Sequence, residues 1–75
     1  MEISLKELSP GKRAVVTKIL MDAAFTKRLR DFGMVPGTSV CCRYRSPGGQ
    51  VTALALRGAV IALRTRDLAK IRVRC

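Results

Sequence analysis

The sequence predicts a small, mainly β barrel of five short strands, with one inserted α-helix and short helical turns. Three observations predict it. Segments rich in β-branched or alternating apolar residues recur along the chain, and Gly- or Pro-centred turn signals separate them. Only one stretch, Asp22 to Phe32, carries a helical apolar period. The third is length: 75 residues are too few to cover open sheet edges, and closure into a barrel removes those edges.

Each element follows from local chemistry. Ser4-Leu5-Lys6-Glu7-Leu8 reads as a helical turn, with Ser4 and Glu7 three residues apart as a capping box. It is too short to stand alone, so Leu5 and Leu8 must dock on a core. Lys12 to Leu20 reads as a strand whose inward phase breaks between Val16 and Ile19, and a bulge near Thr17-Lys18 restores it. Asp22 is a good N-cap for the helix, and Phe25, Leu29 and Phe32 share one face. Gly33 suits the left-handed position after the helix, and Pro36 pushes Val35 to extended backbone.

Thr38 to Arg45 reads as the second strand. Strict alternation turns Val40, Cys42 and Tyr44 inward and Cys41, Arg43 and Arg45 outward. Ser46-Pro47-Gly48-Gly49 is a turn. Thr52, Leu54 and Leu56 point inward on the next strand, Ile61 and Leu63 on the one after, and Arg57-Gly58 joins the two tightly. Thr65 to Ala69 reads as a helical turn capped by Thr65, and Ile71 and Val73 form the last strand.

Composition narrows the function. Fifteen Lys and Arg, ten of them Arg, face five carboxylates for a net charge of +10. Such a balance suits an acidic partner: nucleic acid, an anionic membrane surface or an acidic protein face. Interspersed charge also simply solvates a small domain. There is no histidine, no closely spaced carboxylate pair and no Gly-rich phosphate loop, which argues against an enzyme. Cys41, Cys42 and Cys75 form neither a disulfide framework nor a spaced zinc motif. No cofactor and no metal site are expected, because the chain has no imidazole and only five carboxylates to offer as ligands. The expected compartment is the reducing cytoplasm: no secretory signal is visible, and no apolar run approaches the roughly 20 residues of a membrane span.

The segment Arg28-Leu29-Arg30-Asp31-Phe32-Gly33-Met34-Val35-Pro36-Gly37 places a core Leu, a helix-ending Gly and a Pro-Gly turn in fixed order. Arg-Leu, Gly-Met and Pro-Gly at this spacing resemble the signature of the FeoA family. Leu5…Leu8-Ser9-Pro10-Gly11, Pro47-Gly48, Gly58, Ala62-Leu63-Arg64 and Ala69…Ile71…Val73 extend the resemblance over essentially the full length. It implies one SH3-like barrel domain over residues 1–75, with Leu29, Gly33, Pro36, Gly37, Pro47, Gly58 and Leu63 as structural positions. It also implies a non-enzymatic accessory role in bacterial ferrous iron uptake. The partner it implies is the cytosolic GTPase region of FeoB, the membrane ferrous transporter.

Alternation adds a candidate docking face. If Thr52, Leu54 and Leu56 point inward, then Ala53 and Ala55 point outward, joined by Cys41, Val60 and Ala62 and rimmed by Arg43, Arg45, Arg57 and Arg64. Arg28 and Met34 of the helix-end motif complete the candidate set. The occupant is a partner protein or a second copy of the chain, and the cations also favour peripheral contact with an anionic membrane. Arg64 is further read as a structural ion-pair partner for Asp67. The competing class is a nucleic-acid-binding barrel. Against it, Tyr44, Phe25 and Phe32 are the only aromatics, and all three are expected inward, leaving no stacking platform.

Overall fold

The computed structural model describes residues 1–75 and contains six strands, one more than alternation predicts. They are β1 (Glu2–Ser4), β2 (Arg13–Ile19), β3 (Ser39–Arg45), β4 (Val51–Leu56), β5 (Ala59–Arg64) and β6 (Ile71–Arg74), with helix α1 (Ala23–Asp31) between β2 and β3. Leu5–Glu7 and Thr65–Lys70 form 3-10 turns. Every strand pair is antiparallel, in the order β1-β6-β2-β3-β4-β5, so the barrel keeps β1 and β5 as sheet edges where the expected closure leaves none. β1 carries no alternation signal, because three residues with a single large apolar side chain, Ile3, are too short to show one. Ile3 pairs with Val73 of β6.

The sheet curls round a core of 13 buried residues. Leu5 and Leu8 reach it from the first 3-10 turn, as their isolation on a short element requires. The Glu7 carboxylate holds that turn by accepting the Ser4 backbone N–H at 3.2 Å. On β2 the register shifts between Val16 and Lys18, so Val16 opposes Val73 and Ile19 opposes Ile71. The bulge expected near Thr17-Lys18 therefore brings both apolar residues to the core side.

The Asp22 side chain accepts the Phe25 N–H at 2.8 Å and starts α1. The helix ends on Gly33 at φ +90°. There the Gly33 N–H donates to Arg30 O and the Met34 N–H to Leu29 O, both at 2.8 Å, which is a Schellman ending. That reversal corrects one expectation. It folds fully buried Met34 back toward Leu29, while Phe32 stays 48% exposed and Phe25 is half-buried. Helical period alone puts Phe32 on the apolar face, but the turn after Gly33 supplies Met34 to the core instead.

Val35-Pro36-Gly37-Thr38 then turns, with the Thr38 N–H donating to Val35 O at 3.0 Å and Gly37 at φ +95°. Buried Thr38 ties the segment: its hydroxyl accepts from Val35 N at 3.1 Å and donates to Gly33 O at 3.0 Å. Thr65 is not the cap expected of it. The second 3-10 turn has Arg64 at its N-cap position, and the Thr65 hydroxyl meets the Thr52 hydroxyl at 2.7 Å in the interior.

Candidate protein-docking face

Register assembles the outer face of β3, β4 and β5. Cys41 opposes Ala55, which opposes Val60, and Arg13 of β2 lies opposite Cys41. Tyr44 opposes Ala53, which opposes Ala62. Val51 opposes Arg64. The result is an apolar strip, with Val60 61% and Tyr44 62% exposed.

Tyr44 belongs to this face because β3 carries a second bulge. The register runs from Cys42 opposite Leu54 to Tyr44 opposite Ala53, so Arg43 is the extra residue. Beyond it the faces exchange. Tyr44, expected in the core, is outside. Arg45, expected on the rim, turns toward the inner side opposite buried Thr52 and donates to the backbone carbonyls of Lys6 and Leu8. That anchor stitches the end of β3 to the first 3-10 turn.

Two further candidates leave the exposed face. Ala53 lies on its outer side yet is only 3% exposed, because a methyl between cross-strand neighbours Tyr44 and Ala62 keeps little surface for solvent. Met34 is fully buried in the core. Arg28 lies on α1, with its guanidinium 5.9 Å from the Phe25 ring centroid, a cation–π distance. Cys41 is half-buried and Ala55 is half-buried, as a strip floor requires.

Cations rim the strip. Arg13, Arg43 and Arg57 line a shallow cleft of about 290 Å³ floored in part by Cys41 and Ala55. The ion pairs in the protein are Lys27–Asp31 at 3.6 Å and Arg72–Glu2 at 3.4 Å, so no rim arginine is neutralised by a carboxylate. Arg64 accordingly makes no ion pair with Asp67. Arg57 stands at φ +49°, a rare conformation for a residue with a side chain. With Gly58 at φ +78° it forms the two-residue β4–β5 turn, whose mirror-image geometry matches strand twist. The Arg57 side chain crosses Gly33: a methyl placed there would stand 2.7 Å from Arg57 Cδ. Gly33 thus serves twice, ending α1 and making room for a rim cation.

The cysteines divide as alternation predicts. Cys42 faces the core opposite Leu54, and burial pushes its thiol pKa up. Cys41 lies on the other side of the strand, and Cys75 is exposed. No three His, Cys, Asp or Glu side chains converge in metal-binding geometry.

The FeoA domain family model matches residues 3–75. The chain belongs to the FeoA family. Its members are small accessory domains associated with ferrous iron transport. Solved FeoA structures superpose closely. The FeoA protein of Chlorobium tepidum is 29% identical with TM-score 0.92, over 96% of this chain and 69% of that one. A FeoA-like protein of Clostridium acetobutylicum is 29% identical with TM-score 0.86, over 97% and 85%. The zinc complex of Stenotrophomonas maltophilia FeoA, described as an SH3 domain protein, is 29% identical with TM-score 0.79, over 95% and 88%. The SH3-like class is therefore the fold of this FeoA chain. No curated protein sequence matches it. Gly33, Gly37 and Gly58 all sit at positive φ, and Leu29 is buried in the core. No helix is long and apolar enough to cross a membrane.

Proposed function

We propose that this FeoA chain is a non-enzymatic cytoplasmic accessory protein of bacterial ferrous iron uptake. It docks through the outer face of β3–β5 on the cytosolic GTPase region of a FeoB-type membrane transporter. The observation that carries the reading is the strip of Cys41, Ala55, Val60, Tyr44 and Ala62, set among arginines that no carboxylate neutralises. An apolar centre with a charged rim is the anatomy of a protein interface. The description of the Stenotrophomonas maltophilia relative, which proposes a ferrous iron transport activating factor, points the same way. Near an anionic leaflet each Lys or Arg adds about 1 kcal/mol of attraction, which holds such a protein beside its transporter.

The test is an amide-shift titration of the labelled chain with the transporter's GTPase region at physiological salt. Saturable shifts at Cys41, Tyr44, Ala55, Val60 and Ala62 are expected. Shifts that avoid these residues, or no shifts, overturn the assigned face. One observation favours a second reading, nucleic-acid binding: Tyr44 is exposed beside the arginines after all. A lone aromatic gives at most one base about 1–3 kcal/mol of stacking. That reading requires sequence-blind oligonucleotide binding that falls steeply between two salt concentrations.

A further inference from the structure

We infer that the free edge of β5 receives an extended, acidic segment of a partner protein as an added strand. This rests on the docking reading above and names the chemistry of the docked segment.

β5 ends the sheet, with no strand beyond it. Register fixes which backbone groups it leaves open. Val51 O accepts from Ser46 N at 2.9 Å, so the peptide groups of Val51 face β3. Arg64, opposite Val51, therefore turns its N–H away from β4. Conversely, the Thr65 N–H donates to Gln50 O at 2.9 Å, on the β4 side. Alternation from these two points leaves the N–H and C=O of Val60 and Ala62, and the N–H of Arg64, directed off the sheet. None of the turn, loop, cap or side-chain hydrogen bonds ends on Val60 or Ala62.

Proteins normally blunt such edges with charge, Pro, a bulge or short length. From Ala59 to Leu63 β5 has no charge and no Pro, and its register with β4 is unbroken. The opposite edge, β1, has three residues and carries Glu2. β5 is thus the open edge, with Val60 61% exposed beside it.

Charge selects the occupant. Arg57 stands at one end of β5 and Arg64 at the other. A cleft of about 580 Å³ at the Arg64 end is lined by Lys6, Arg64 and Arg66, with no carboxylate among its lining residues. None of these cations is ion-paired. Two copies of a chain with net charge +10 would set such clusters against each other, whereas an acidic segment neutralises them. An antiparallel strand entering at the Arg64 end would place carboxylates in this cleft and apolar residues beside Ala62 and Val60.

The experiment titrates the labelled full chain with Ac-Asp-Glu-Val-Thr-Val-Thr-Val-NH2 and with the same peptide begun by Lys-Lys. The acidic peptide should saturate and slow hydrogen exchange at the Val60, Ala62 and Arg64 amides, and bind about tenfold tighter than the basic one. Ala62→Pro removes an outward N–H and no ladder bond, and should abolish binding. If that variant fails to fold, Arg64→Glu with Arg66→Glu should reverse the peptide preference. Unchanged exchange at the three amides, full binding by Ala62→Pro, or equal response to both peptides overturns the inference. A wild-type dimer that Ala62→Pro dissolves makes the occupant a second copy and also overturns it. If the GTPase region binds wild type and Ala62→Pro alike, docking stands and the edge assignment falls. If it binds neither, docking falls while the peptide result still decides the edge.

Discussion

The buried hydroxyl pair Thr52–Thr65 closes the seam between β4 and the second 3-10 turn, and its energetics can be worked from geometry. The two oxygens lie 2.7 Å apart, with Thr52 fully buried and Thr65 8% exposed. Valine matches threonine in shape, so Thr52→Val makes no cavity but strands the Thr65 hydroxyl, and Thr65→Val does the converse. Each single change should cost about 1–3 kcal/mol, the desolvation penalty of an unpaired buried hydroxyl. For a chain of this size that is a drop of about 4–8 °C in Tm per kcal/mol. The double variant leaves no hydroxyl to strand and should lie within about 0.5 kcal/mol of wild type, or above it. Urea unfolding of all four proteins, with constant m-values, measures the cycle. Additive costs in the double variant would refute the reasoning, because the losses would then come from packing and not from an orphaned polar group.

Gly33→Ala should destabilise by about 1–2 kcal/mol through its left-handed backbone, and Arg57→Ala should not rescue it, since the flexible Arg57 side chain can move aside; urea unfolding reads both. Brief alkylation at pH 8 followed by mass spectrometry should modify Cys75 first and Cys41 next, and spare Cys42, whose thiol is buried and held above its ordinary pKa. The Thr17 hydroxyl, then Arg72, hold the Glu2 carboxyl below its ordinary value near 4.5, so the native state gains from its charge above that pH and loses the gain as pH falls through the lower native value. Glu2→Gln should therefore flatten the acid limb of a Tm-versus-pH curve, and an unchanged limb would remove Glu2 from the account.

Most of the fold is legible in the sequence where a local rule acts alone. Asp22 and Gly33 mark the two ends of α1 because capping needs only a few neighbouring residues. The Arg57-Gly58 turn follows from two apolar runs that it alone separates. The β2 bulge is legible because Val16 and Ile19 are both apolar and out of phase, so the sequence itself displays the break. β1 was not legible, since its partner β6 lies at the far end of the chain and supplies the register that three residues cannot. Nor was the role of Thr65: a threonine before a helical turn reads as a cap, and only the tertiary approach of Thr52 recruits its hydroxyl elsewhere.

The docking face turns on a signal of the opposite kind. The β3 sequence Val40-Cys41-Cys42-Arg43-Tyr44-Arg45 alternates without visible fault, with an apolar residue at every second position, so nothing in it marks an extra residue at Arg43. The bulge instead satisfies a demand from another element. The first 3-10 turn ends with the Lys6 and Leu8 carbonyls at the barrel end, and a guanidinium is the group in β3 that reaches both. Turning Arg45 inward to them forces Tyr44 outward, since neighbouring strand residues face opposite ways. Core anchoring and surface composition are thus one event. The insertion that lets a charged side chain tie β3 to the first 3-10 turn also places the protein's one tyrosine opposite Ala53, on the face assigned to the partner.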